Sequence, residues 1–242
     1  MEKVGELSIF FPFWNEEANI EKVVKIAIPV AEKVAKKWEI IMVDDGSTDR
    51  TLEIAKRLAS KNQNLRVVTH SPNRGYGAAL KDGFANAQYE LIVFNDGDGQ
   101  FDFGEVTKFI EKIGKADIVM GVRKKRLDHP LRHVLMDLLK IWDFVFFGFY
   151  FRDIDCGFKM FRKSAMTKIQ TLTSEGAMIT TEILARAKKA GLKFTEVEVM
   201  HYKRKFGNQS GGNLRVVLRA IFESFLLWMD LNLRKQREYG KA

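Results

Sequence analysis

A single cysteine, Cys156, and only four prolines occur in the 242 residues. One thiol can form neither an intramolecular disulfide nor a multi-cysteine metal site, so a reducing compartment, the cytoplasm, is expected. No run reaches the roughly 18 apolar residues needed to cross a bilayer, so the chain is not expected to be integral to a membrane. The first residues lack the basic, apolar and small-residue succession of a secretory signal. A Walker-type phosphate loop is also missing, and Arg74-Gly75-Tyr76-Gly77 has only part of the dinucleotide fingerprint. That weighs against a P-loop NTPase and a nicotinamide dehydrogenase. The four histidines, His70, His129, His133 and His201, show no metal-ligand spacing; His201 alone is one to watch.

What is present is positive charge. Forty Lys and Arg against 31 Asp and Glu leave a formal net charge of +9, which suits nucleic acid, an anionic membrane surface or a phosphorylated substrate. No nucleic acid is expected, because no RRM-like motif occurs and the basic residues form no single stripe. The length fits one large α/β domain with a substantial core.

Apolar runs at Leu7–Pro12, Glu39–Val43, Leu65–Thr69 and Glu90–Asn95 predict buried strands. Helical spacing at 17–37, 48–61 and 76–87 separates them, which gives βαβ units and a mostly parallel sheet. A helix at 103–114 and a strand at 117–121 follow. Then come Arg123-Lys124-Lys125-Arg126 and a long helix carrying Trp142, Phe144, Phe146, Phe147, Phe149 and Phe151. A strand at Gly157–Phe161, a helix at 179–190 and a strand at 193–199 complete the pattern, with Cys156 expected to be small and buried.

Ligands of open α/β sheets bind where strands end. The first exit carries Pro12-Phe13-Trp14-Asn15-Glu16-Glu17, the second Val43-Asp44-Asp45-Gly46-Ser47-Thr48-Asp49 and the fourth Asn95-Asp96-Gly97-Asp98-Gly99-Gln100. The second exit alone reads equally well as a tight turn with Ser47 or Thr48 capping the next helix. At the fourth, Asp96, Asp98 and Gln100 alternate, so a chain that stays extended puts three oxygen donors on one side, suited to Mg²⁺ or Mn²⁺. A helix starting near Tyr76 sets Arg74 and Gly75 where a diphosphate could lie.

These segments, with Asn73-Arg74-Gly75 and Asp155-Cys156-Gly157-Phe158, resemble the family 2 glycosyltransferases. The dolichol-phosphate mannose synthase and polyprenyl-phosphate glucosyltransferase branch is the most similar. The resemblance implies a GT-A, Rossmann-like single domain over 1–212, divided into a nucleotide-sugar half (1–122) and an acceptor half (123–212), with an amphipathic C-terminal helix at 213–242. It implies that Pro12, Trp14, Glu16, Val43 and Asp45 hold base and ribose, and that Gly75, Gly97 and Arg204 also meet the nucleotide. Asp96, Asp98 and Gln100 match the metal ligands. Arg123, Arg126 and Arg132 match basic positions near donor and acceptor phosphates. Arg204-Lys205-Phe206-Gly207 resembles a flexible loop over the site, although this chain has an extra residue before Ser210 and no Lys after it; Gly99 also replaces an expected Leu. These departures leave the sugar nucleotide open between GDP-mannose and UDP-glucose.

The implied reaction is metal-dependent, inverting transfer of mannose or glucose to a polyprenyl or dolichyl phosphate at the cytoplasmic membrane face. A saccharide hydroxyl as acceptor would need a general base, for which Asp155 is the first candidate and Glu182 the second. The competing readings are an Asp155–Arg152 ion pair and a surface charge at Glu182. Leu138–Phe151 and residues 214–237 are apolar, aromatic and flanked by basic residues, as in helices that lie in a membrane interface. They could instead pack on the core or on a second subunit of a homo-oligomer. A non-catalytic, nucleotide-binding peripheral membrane protein is the alternative of another class; the intact Asp96, Asp98 and Gln100 set favours the enzyme.

Overall fold

The computed structural model describes residues 2–124, 144–169, 172–204, 206 and 222–232. Arg126 and Arg132, the helix expected before residue 144 and the residues flanking 222–232 lie outside them.

The first half alternates β1 (Val4–Phe13), α1 (Ile20–Val34), β2 (Ala35–Asp44), α2 (Thr51–Ala59), β3 (Leu65–Thr69), α3 (Tyr76–Asn86) and β4 (Leu91–Asn95). A short 3₁₀ turn at Phe103–Glu105 leads into α4 (Val106–Ile113) and β5 (Ile118–Arg123). The second half supplies β6 (Phe158–Arg162), α5 (Lys163–Met166), α6 (Ile179–Lys189) and β7 (Phe194–Val199). The strands form one sheet in the order β3-β2-β1-β4-β6-β5-β7. All neighbours run parallel except β6, which is antiparallel to both β4 and β5.

Side-chain alternation along β1 and β2 builds the two cores. Leu7, Ile9, Phe11, Trp38, Ile40 and Met42 pack with α1 and α4 on one face. Phe10, Ile41 and Val43 pack with α3 and α6 on the other. With both faces covered, strands carry near-continuous apolar runs, and the parallel strand ends at Phe13, Asp44, Thr69 and Asn95 converge on one edge.

Three expected boundaries move. Helix α1 stops at Val34 rather than near 37, because the chain passes directly into β2 and Ala35 already pairs with Val4. Helix α2 starts at Thr51, so Ser47 and Thr48 are not its caps; Asp49 Oδ1 accepts the Thr51 amide at 2.9 Å instead. In the aromatic stretch helix covers 144–147 and ends before Gly148, whose φ is +67°, so Phe149 and Phe151 follow in non-helical chain.

Glu182 is fully buried, which overturns the surface-charge reading and withdraws it as a base. It accepts hydrogen bonds from the amides of Thr173 and Ser174, from Thr173 Oγ1 and from Arg186 Nε. Burial pushes its carboxyl up, but these donors outweigh it and hold the group below the ordinary carboxylate value. Replacing Glu182 with Ala leaves several buried donors without an acceptor and is expected to cost on the order of 3–5 kcal/mol in a urea melt. A loss below about 1 kcal/mol would contradict this role.

Candidate functional site

The exits of β1 and β2 are clasped together. Asn15 takes a left-handed φ of +53°, a conformation that Asn tolerates better than most residues. Its amide donates to Ser47 Oγ at 2.9 Å, and its Oδ1 accepts the Thr48 amide at 2.8 Å. The Glu16 amide donates to Thr51 Oγ1 at 2.8 Å. Residues that read as helix-capping in isolation therefore hold the two loops in register.

Asp45 fastens the third exit. Its Oδ1 accepts the Arg74 amide at 2.9 Å, while Oδ2 accepts the Gly75 amide at 3.0 Å and Asn73 Nδ2 at 2.9 Å. Gly75 has φ +104°, and a Cβ there would fall 2.6 Å from the Glu175 carbonyl oxygen, so the turn admits glycine alone. The Arg74 guanidinium turns outward to Glu175 Oε1 at 2.7 Å.

At the fourth exit the strand stops at Asn95 and the chain turns at 97–98, with Gly99 at φ +71°. The alternation expected for Asp96, Asp98 and Gln100 therefore does not arise. Gln100 reaches the opposite segment: its Nε2 donates to the Tyr202 carbonyl at 2.9 Å, and the Tyr202 amide donates to the Gln100 carbonyl at 2.8 Å. Asp96 and Asp98 both face the pocket. The Tyr76 hydroxyl donates to Asp96 Oδ1 at 2.8 Å. Burial, then the nearby charge of Asp98, pushes the Asp96 carboxyl up to about 7. Burial raises Asp98 as well.

Arg204 closes this arrangement. Its guanidinium pairs with Glu16 Oε1 and lies 3.6 Å from Asp98 Oδ2, while its Nε donates to the Phe206 carbonyl. Together these elements enclose a cavity of about 370 Å³ lined by Pro12, Trp14, Glu16, Asp45, Gly75, Asp96, Gly97, Asp98 and Arg204 among others. Those nine are the residues expected at the nucleotide sugar. Val43 is not among them, because its side chain belongs to the core under α3.

Two further expectations change. Arg123 is clamped by Asp153, with Nε to Oδ2 and Nη2 to Oδ1 both at 2.7 Å, and neither side chain is more than 8% exposed. Two of its donors thus serve Asp153, while its charge is near enough to Asp96 to favour that carboxylate's ionised form. Asp155 is exposed, and Arg152 pairs with Glu198 rather than with it. Sequence reading missed Asp153 and Tyr76: the first stands two residues before the motif that drew attention, and the second is an aromatic at a helix start.

Among the described residues no group of three or more His, Cys, Asp and Glu side chains could hold a metal ion. Asp96 and Asp98 nevertheless present hard oxygens whose ionised forms the pocket disfavours, an imbalance that a bound Mg²⁺ or Mn²⁺ removes. The residues fit the group: Asp96 and Asp98 would hold it.

Strand-end loops, a carboxylate pair and a cavity of about 370 Å³ thus meet at one edge of an open α/β sheet, where ligands of such sheets bind. Residues 8–186 match the family model "Glycosyl transferase family 2", and the chain belongs to that family. It is 31% identical over 219 residues to dolichyl-phosphate beta-glucosyltransferase of Saccharomyces cerevisiae, covering 80% of this chain and 66% of that one. Identity is 26% over 220 residues to undecaprenyl-phosphate 4-deoxy-4-formamido-L-arabinose transferase of Pectobacterium atrosepticum, covering 90% and 66%. The chain thus spans just under two thirds of the length of these relatives. The fold matches glucosyl-3-phosphoglycerate synthase from Mycobacterium tuberculosis, solved with Mn²⁺, UDP and glucosyl-3-phosphoglycerate. The TM-score is 0.70 at 21% identity, covering 93% of this chain and 80% of that one.

A carboxylic acid raised by the fold destabilises it once ionised: the penalty is absent below the unfolded pKa of about 4 and complete above the folded value. For Asp96 that window runs from about 4 to about 7. Asp96→Asn is therefore expected to melt higher than the unaltered, metal-free protein at pH 8, by about 2–4 °C per kcal/mol gained. The two should converge near pH 4; equal melting at both pH values would contradict the assignment.

Proposed function

We propose that this chain transfers glucose from UDP-glucose to a dolichyl or related polyprenyl phosphate at a membrane surface, with inversion and with a divalent metal. The observation that carries the reading is the Asp96–Asp98 turn facing the cavity between Trp14, Asp45 and Arg204. Trp14, 49% exposed, offers an aromatic face to the nucleotide base. Glucose is favoured over mannose by the yeast relative, whose name specifies glucosyl transfer to dolichyl phosphate.

When bound, the cation supplies Lewis-acid stabilisation of the departing diphosphate. Asp96 and Asp98 would hold it, Tyr76 orients the Asp96 carboxylate, and Arg204 brings a second positive charge to the same wall. The acceptor oxygen then displaces the diphosphate from the anomeric carbon. A phosphate monoester has its second pKa at about 6 and is already ionised near neutral pH, so it needs no base. This agrees with the two base candidates: Glu182 is consumed by structural hydrogen bonds and Asp155 is exposed. A saccharide hydroxyl would require one of them.

The membrane part of the reading is supported by an apolar surface. Phe144, Val145, Tyr150, Phe222, Phe225 and Leu226 are all more than 40% exposed, and Phe146 meets Trp228 edge-on at 5.7 Å, joining the segments around 144–150 and 222–232. No described helix is long and apolar enough to cross a membrane; the attachment we propose is peripheral, at the cytoplasmic face.

Incubating the chain with sugar nucleotides and a polyprenyl phosphate, with and without Mn²⁺ or Mg²⁺, should yield a glucolipid with UDP-glucose only when metal is present. Asp98→Ala is expected to lower turnover by at least about 100-fold while leaving the fold intact; full turnover would overturn the assignment. Reversing Lys124, Lys125 and Arg126 to Glu should reduce pelleting with anionic liposomes, at about 1 kcal/mol per removed charge. Unchanged pelleting would favour a subunit interface on the aromatic surface.

A further inference from the structure

Lys159 is the second residue of β6, opposite Phe94 of β4, and is only 1% exposed. Its Nζ donates to the carbonyl oxygens of Ile154, at 2.8 Å, and Cys156, and sits 5.6 Å from the centre of the Phe94 ring. Among the described residues it has no ion pair with a carboxylate. An ammonium whose direct partners are neutral carbonyls is costly to bury: burial pulls its pKa down, and the more distant charges of Asp153, Asp155 and Asp96 offset that only in part. A methionine would occupy the same volume beside Phe94 without that cost.

The two carbonyls belong to the 153–157 loop, and that loop carries the frame of the cation site. Asp153 at its start clamps Arg123. Gly157 at its end accepts the Asp96 amide at 2.8 Å. Its bare Cα also makes room for the Asp96 side chain, since a Cβ there would fall 1.8 Å from Asp96 Oδ2. The same loop thus sets both ends of Asp96, and the Lys159 ammonium gathers the two carbonyls between its anchors.

We propose that Lys159 is a positioning residue for the cation site: by drawing the Ile154 and Cys156 carbonyls inward it fixes the loop against which Asp96 is set. The proposal rests on the donor-site reading above. Neighbouring Met160 provides a control, because it is fully buried on the same strand but faces the opposite core.

Calorimetric titration of Mn²⁺ into the full chain, with UDP or with GDP present, tests it alongside thermal melts. Lys159→Met and Lys159→Gln are expected to weaken Mn²⁺ binding by about 10–100-fold, the usual effect of losing a residue that orients a metal ligand. Met160→Ala should melt lower yet bind Mn²⁺ as the unaltered chain does. Should Lys159→Met fail to fold, Lys159→Gln, which keeps an amide donor, carries the comparison. A folded Lys159 variant with unaltered Mn²⁺ affinity overturns the proposal, as does an equal loss in Met160→Ala. Absence of Mn²⁺ binding by the unaltered chain with either nucleotide overturns the donor-site reading itself, and this inference with it.

Discussion

Asp96 and Asp98 are held two residues apart on a turn that removes much of their water, so that the ionised pair is unfavourable until a cation joins it. The surrounding structure is arranged to hold that conflict in place. β4 ends at Asn95, β6 runs antiparallel beside it, and Gly157 offers Asp96 both a carbonyl and an empty Cα. Tyr76, at the start of α3, steadies one carboxylate oxygen.

The same logic extends around the rim. Glu16 is raised by burial and is met by Arg204, whose guanidinium also approaches Asp98. One arginine thereby ties the segment after β7 to the exits of β1 and β4. Gln100 adds a pair of hydrogen bonds to that segment through Tyr202. Ion pairs of this kind contribute little when exposed, but here the Arg204 and Glu16 side chains are both largely buried.

Much of this is legible in the amino-acid sequence. The alternation of apolar runs and helical spacing placed every strand of the first half, because strands buried on both faces leave near-continuous hydrophobic stretches. Nine of the ten residues assigned to the nucleotide sugar line one cavity. What failed had common physical causes. The Val43 side chain does not line the cavity because strand alternation points it into the core under α3. Gln100 left the expected row because Gly99 turns the chain. Glu182 and Arg123 read as free charges, but each has a tertiary partner set that no local pattern encodes. Lys159 resembles an ordinary outward-facing strand lysine until β4 and β5 flank it.

The Asp96–Asp98 turn, proposed as the cation site of a nucleotide-sugar pocket, is open to direct observation. Crystals grown with Mn²⁺ and UDP, measured near the manganese absorption edge, test it most directly. One strong anomalous peak is expected within coordination distance of both carboxylates, with the diphosphate beside it and Arg204 drawn away from Asp98. A manganese peak bound elsewhere, with UDP ordered in the pocket and the two carboxylates unligated, would contradict it.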